Sequence, residues 1–249
     1  MQCEAVHPLA GAALLAAWER GSGQPPLARA LSLIAAGFPD MTETAARALS
    51  LAERDLALLR LRRISFRRPM SLFCVCSGCG ERLEFTLAED ALIATLQRAA
   101  AAARGLTQDR CTMRLRLANS EDVAAAAAMT DLGAARNVLL EHCVTAIDGE
   151  AQTVPLGALP PAAQHAALTQ LEAMHDAAEL SVSLLCPDCG AGETAVLDVP
   201  ALLWAEARHA AQALLDEVHE LAWTYGWAED AILAMSPARR RAYRERLNA

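Results

Sequence analysis

A chain of 249 residues that is 54% hydrophobic but only 4% aromatic can bury a substantial core as one large domain or two modest ones, and its Ala- and Leu-rich composition favours helices packed through small side chains. The formal net charge of -8 argues against general nucleic-acid binding, which draws its affinity from clustered cations, and no apolar run is long enough to span a bilayer. Glu4 and the lack of a basic stretch ahead of the first apolar residues predict no signal peptide, so the eight cysteines are expected in a reducing cytoplasm, where paired Cys-x-x-Cys signifies metal or redox chemistry.

In chain order, helices are predicted over Pro8–Arg20, over Pro26–Ala36 with prolines suited to a first turn, and over Met41–Arg63 in one or two pieces. Ser50-Leu51-Ala52-Glu53 has the form of a capping box, which predicts a fresh helix start there. Its apolar residues Leu51, Leu56, Leu58, Leu59 and Leu61 form a broad stripe, expected of a helix buried between neighbours. Two runs of β-formers, Pro69–Cys76 and Glu81–Leu87, read as a hairpin with Cys76-Ser77-Gly78-Cys79-Gly80 at its tip. A helix over Glu89–Arg104, a strand over Cys111–Leu117 and helices over Ser120–Met129 and Ala134–Val144 follow. Residues 146–161, rich in Gly and Pro, read as a loop. A helix over Pro161–His175 leads to a second hairpin, Leu180–Leu185 and Glu193–Val199, around Cys186-Pro187-Asp188-Cys189-Gly190.

The two knuckles carry the chemistry. Cys76, Cys79, Cys186 and Cys189 are two Cys-x-x-Cys pairs, the ligand set that closes a tetrahedral zinc shell, and each following glycine permits the left-handed turn of a knuckle. Four thiolates leave no open position, so a structural Zn2+ is favoured over a catalytic one. A thioredoxin-like redox site calls for one such pair at a helix start, which hairpins do not provide. Sliding the sequence by 110 positions superimposes Cys76 on Cys186, Cys79 on Cys189, Gly80 on Gly190 and Leu87 on Leu197, as expected of an internal duplication that clasps one ion. Cys74, on the same strand face as Cys76, reads as a small buried hydrophobe with a second role near the metal as the alternative. Cys3, Cys111 and Cys143 are assigned to packing. No nucleotide-binding or serine-hydrolase motif occurs, so no enzyme is expected.

The chain ends in a long helix predicted over Pro200–Tyr225 with Asp198 as N-cap and Gly226 beyond its end. Leu203, Ala207, Ala210, Leu214, Val218, Leu221 and Tyr225 form its packing seam. A helix over Glu229–Met235 and an Arg-rich helix from Ser236-Pro237 to Leu247 complete it. Trp223, Tyr225, Trp227, Arg239, Arg240, Arg241 and Tyr243 combine large aromatics with arginines, the usual composition of an interface hot spot, and are expected to bind a partner.

Three stretches together resemble one family: Leu14-Leu15-Ala16-Ala17-Trp18-Glu19-Arg20-Gly21 with Pro26-Leu27-Ala28-Arg29-Ala30-Leu31; Cys79-Gly80-Glu81-Arg82-Leu83-Glu84-Phe85; and Glu217-Val218-His219-Glu220-Leu221-Ala222 with Tyr225-Gly226-Trp227, Ile232-Leu233 and Arg239-Arg240-Arg241-Ala242-Tyr243. The chain is similar to the phage T4-type baseplate family of contractile-tailed phages and phage-tail-like contractile injection systems. That resemblance implies a non-enzymatic structural or assembly role with other baseplate, spike or tail-tube proteins as partners, no small-molecule substrate and no membrane. It also implies a place in the bacterial cytoplasm or in the assembled particle. The competing expectation, resting on the knuckles alone, is a zinc-ribbon module that binds nucleic acid or a transcription complex.

The expected fold is α+β and predominantly α-helical, with two zinc-ribbon-like β-hairpins joined through one four-cysteine zinc site among surrounding helices. Three regions are expected: a helical N-terminal region at 1–63, a zinc-clasp body at 64–199 with an insert at 89–179, and the long helix and Arg-rich tail at 200–249.

Overall fold

A computed structural model describes residues 5–102, 105–108, 111–147 and 153–247. In chain order these form α1 (Gly11–Gly21), α2 (Pro26–Gly37), α3 (Glu43–Ala48), α4 (Leu51–Phe66), β1 (Met70–Val75), β2 (Arg82–Leu87), α5 (Glu89–Ala101), β3 (Gly105–Gln108), β4 (Cys111–Leu115), α6 (Ser120–Ala127), α7 (Leu132–Cys143), β5 (Val144–Ile147), β6 (Thr153–Val154), a 3-10 turn (Leu156–Ala158), α8 (Pro161–Ala178), β7 (Ser181–Leu185), β8 (Gly192–Val196), α9 (Val199–Tyr225), α10 (Glu229–Leu233) and α11 (Pro237–Glu245). The protein is α+β and mostly helical, with small antiparallel sheets. Two compact units share the chain, and they regroup the three sequence regions: the N-terminal helices and the C-terminal helices fall in one unit, because α1 and α2 both pack on α9.

The first unit comprises the described residues of Met1–Thr42, Leu61–Arg67 and Val199–Ala249. Small residues let its helices approach: Ala17, Ala30, Ala207 and Ala211 are buried beside Leu14, Leu33, Ile34, Leu61, Leu203 and Leu214. The predicted seam of α9 is present with one shift. Ala211 is buried where Ala210 was expected, and Tyr225 is half-buried. Gly226 ends α9 with φ +68° and its N–H donates to Ala222 O, the left-handed helix stop that a Cβ would strain. Inside the unit the Arg62 guanidinium, 1% exposed, donates to both carboxylate oxygens of Glu206 at 2.7 and 2.9 Å.

The second unit comprises Glu43–Arg60 and the described residues of Arg68–Asp198. The expected capping box is formed: the Ser50 N–H donates to Glu53 Oε2 at 3.0 Å, and the Glu53 N–H donates to Ser50 Oγ at 3.3 Å. A second box, with a shorter acid, starts α6. Asn119 Oδ1 accepts from the Glu121 and Asp122 N–H groups, and Asp122 Oδ2 accepts from the Asn119 N–H. The four-stranded antiparallel sheet β3-β4-β5-β6 corrects the sequence reading, which foresaw only one strand there and a loop from residue 146. β5 follows α7 without a break in composition, and β3 and β6 are too short to show a period of two. The sheet exists because Met113 and Leu115 on β4 and Val144 and Ala146 on β5 bury together, and α8 packs against β3 and β4. His175 on α8 bridges backbones: its Nδ1 is 2.8 Å from Leu171 O and its Nε2 accepts the Ala118 N–H at 3.2 Å.

Candidate metal centre

Both hairpins belong to the second unit, and their construction is the same. With the 110-residue offset, the pairing Val75↔Arg82 corresponds to Leu185↔Gly192, and every other pair from Ser181↔Val196 inward has its counterpart in β1 and β2. The turns match bond for bond: Cys76 N–H donates to Glu81 O and Gly80 N–H to Cys76 O, as Cys186 N–H donates to Ala191 O and Gly190 N–H to Cys186 O. Gly80 and Gly190 take φ +80° and +74°, where a side chain is strained. The helices that follow, α5 and α9, also begin 110 residues apart.

These turns bring the four predicted ligands together. The sulfurs of Cys76, Cys79, Cys186 and Cys189 all lie within 4.8 Å of one another, and the set can hold a metal ion. The Sγ atoms of Cys76 and Cys189 are 3.5 Å apart, and those of Cys79 and Cys186 3.6 Å. One cysteine of each knuckle is buried and one exposed. Cys76 and Cys186 join Leu83 in a small apolar cluster, against which Cys74, Leu184 and Ala191 pack. Cys74 therefore holds the packing role expected of it and lies outside the ligand set. Cys143 is buried as expected. Cys3 lies outside the described residues, as does the side chain of Cys111.

Backbone donors surround the sulfurs. The Cys79 and Gly78 N–H groups bond to Cys76, the Glu81 N–H to Cys79, and the Cys189 and Asp188 N–H groups to Cys186. The Cys186 thiol is pulled down to about 7, first by the Cys189 N–H and against burial. Cys79 is pushed up to about 12: the Glu81 N–H lowers it, but the neighbouring sulfurs of Cys189 and Cys186, together with burial, outweigh that bond. Thiols this close resist a second ionisation once one has ionised, and a divalent cation at their centre removes that resistance. Sequence reading missed one contributor. Glu193 on β8 accepts the Ser77 N–H and the Ser77 hydroxyl, both at 2.7 Å, and so latches the first knuckle to the second hairpin. Gly78 must stay small there, because an added Cβ would lie 3.3 Å from both Cys189 Sγ and Ala191 Cβ.

Comparison with protein-family models, curated proteins and solved structures finds no match.

The other predicted site residues lie in the first unit and divide into two groups. Tyr225 stacks on Trp227 with ring centroids 4.5 Å apart, and Tyr243 meets both edge-on at 5.7 and 4.8 Å. Arg240 is buried and donates to Glu217 and to Met235 O. These four hold α9 and α11 together, and Arg240 turns inward from the surface expected of it. Trp223, 84% exposed and stacked on His219, remains on the surface with Arg239 and Arg241. No helix among the described residues is long and apolar enough to cross a membrane.

Proposed function

We propose that this chain is a non-enzymatic structural or assembly component of the baseplate of a contractile phage tail or phage-tail-like injection system, held in shape by one structural Zn2+. The four-thiolate cluster on two duplicated hairpins supports the metal assignment. Tetrahedral Zn–S bonds of about 2.3 Å put sulfurs about 3.8 Å apart, close to the 3.5 and 3.6 Å separations across the knuckles. Four thiolates complete the shell and leave no position for a substrate, which favours a scaffold over a catalyst. The baseplate role rests on the three family-like stretches. Trp223, Arg239 and Arg241 supply an exposed aromatic and two guanidinium groups on the last of them, suited to acidic partner surfaces.

Nucleic acid is the poorer reading. The hairpin-bearing unit holds eleven arginines, no lysine and twenty carboxylates, a net charge of -9, which repels a phosphate backbone.

The test is co-purification of the tagged chain with spike, tail-tube and baseplate proteins from cells assembling a contractile particle. The triple variant Trp223→Ala, Arg239→Glu, Arg241→Glu is expected to lose those proteins while keeping its bound zinc. Retention of the partners by the variant, or their absence from the wild-type preparation, contradicts the assignment.

A further inference from the structure

The two hairpins share a register but not an outer surface. Under the 110-residue offset Phe73, Arg82, Glu84 and Thr86 of the first correspond to Ser183, Gly192, Thr194 and Val196 of the second. On the first hairpin the outward face is charged: Arg82 pairs with Glu84 at 3.2 Å, and its guanidinium covers the Phe73 ring at 3.9 Å. On the second, every outward residue is uncharged, and Leu185 and Val196 are 73% and 64% exposed. The single charge on β7 and β8, Glu193, is taken up by Ser77.

The backbone of the second hairpin is equally open. Leu197 N–H donates to Leu180 O and Cys186 N–H to Ala191 O at its two ends. The antiparallel ladder therefore runs through residues 180, 182, 184 and 186, and the N–H and C=O groups of Ser181, Ser183 and Leu185 point to the outer edge of β7. Those of Gly192, Thr194 and Val196 point to the outer edge of β8. Among the described residues no third strand takes either edge. Proteins ordinarily blunt such edges with charges, proline or a bulge; β7 and β8 carry no proline or bulge, and their one charge, Glu193, is held by Ser77.

Along the chain, the charges flanking this hairpin have one sign. No Lys or Arg occurs between Arg136 and Arg208, and the hairpin is flanked by exposed Asp176 and Glu179 at its base and Asp188 at its tip.

We propose that the second hairpin is a strand-addition site for an extended, arginine- or lysine-bearing segment of a partner protein. The segment joins one edge as a third strand through main-chain hydrogen bonds, sets its apolar side chains beside Leu185 or Val196, and places its cations at the acidic ends. Five residues of edge span about 17 Å, enough for alternate apolar residues on one face and a cation at either end. A second copy of the same hairpin would bring like carboxylates together and fits the edge less well. Whatever apparatus the chain serves, this surface belongs to the second unit, whereas the exposed Trp223 belongs to the first.

The experiment selects from a display library of random nine-residue peptides on the zinc-loaded full chain, then measures the selected peptides against three proteins: wild type, Ser183→Pro and Thr194→Pro. Each proline removes an N–H that faces outward and spares the ladder within the hairpin. Enriched peptides are expected to alternate apolar residues and to carry Arg or Lys. Affinity should fall at least tenfold in one of the two variants, which names the edge. Hydrogen exchange on the wild type supplies an independent readout: bound peptide should protect either the amides of residues 181, 183 and 185 or those of 192, 194 and 196. Failure to enrich, enrichment without cationic residues, undiminished binding to both variants, protection spread over neither edge, or dimerisation of the chain through this edge would each overturn the proposal.

Discussion

At the residue scale, a charge taken out of water is held by an oppositely charged partner in bonding geometry. Arg62 and Glu206 meet this with two charge-assisted bonds from one planar guanidinium, a geometry lysine cannot reproduce. Asp122 is the corresponding case in the second unit. Burial alone would raise its pKa, but bonds from the Arg116 guanidinium and the Asn119 N–H, with His142 Nδ1 at 3.0 Å, outweigh burial and hold it below the ordinary carboxylate value. A carboxylate with a depressed folded pKa stabilises the fold above its unfolded pKa, and that contribution is lost as pH falls through the folded value. Asp122→Asn should therefore cost about 1–3 kcal/mol at pH 7, and the gap to wild type in urea unfolding should shrink below about pH 4. A gap of constant size down to pH 3 would show that the carboxylate charge contributes nothing. The same cluster quiets Cys143, whose thiol is raised to about 11 by burial and then by the Asp122 charge.

At the element scale, helix ends account for much of what the chain announces. Ser50, Ser236 and Asn119 cap α4, α11 and α6 through their own side chains, and Gly226 closes α9. One end departs from this chemistry. Arg67, just beyond α4, takes φ +44°, a left-handed conformation that disfavours residues with a Cβ. Arg67→Gly should raise stability by about 1 kcal/mol, read as a higher midpoint in thermal unfolding; a lower midpoint would mean that the arginine side chain supplies more than its backbone costs. Signals of this local kind are why α2, α4, both hairpins and α9 were legible from the sequence: each is declared by proline, a capping box, a knuckle or an apolar seam within a few residues. The four-stranded sheet was not. Val144-Thr145-Ala146-Ile147 continues the apolar run of α7, and its strand character comes from β4, whose sequence lies some thirty residues earlier. Buried Arg240 escaped for the opposite reason: an arginine in a run of three reads as surface, and only the placement of Glu217 on α9 draws it inward.

At the scale of the whole molecule, the 110-residue offset between the matching hairpins sets how much chain an ion held by both knuckles would close. Cys76 and Cys186 lie 110 positions apart, and a cross-link closing a loop of that length removes roughly 5 kcal/mol of unfolded-chain entropy on the loop-closure account. A small apolar cluster of Cys76, Leu83 and Cys186 is too slight to hold two hairpins together unaided, so metal binding and folding of this unit should be coupled. The sequence made the four ligands plain because type and spacing suffice for them. It could not make Glu193 plain, since a carboxylate 116 positions from Ser77 becomes a latch only once both knuckles close.

Native mass spectrometry combined with thermal unfolding tests the clasp most directly. The wild-type chain should carry one zinc, and Cys189→Ser, or treatment with a strong chelator, should remove it and abolish the cooperative transition of the hairpin-bearing unit, while Cys143→Ser keeps the metal. A metal-free chain that unfolds at the same temperature and with the same cooperativity as the zinc-loaded one would contradict a clasp that holds the fold.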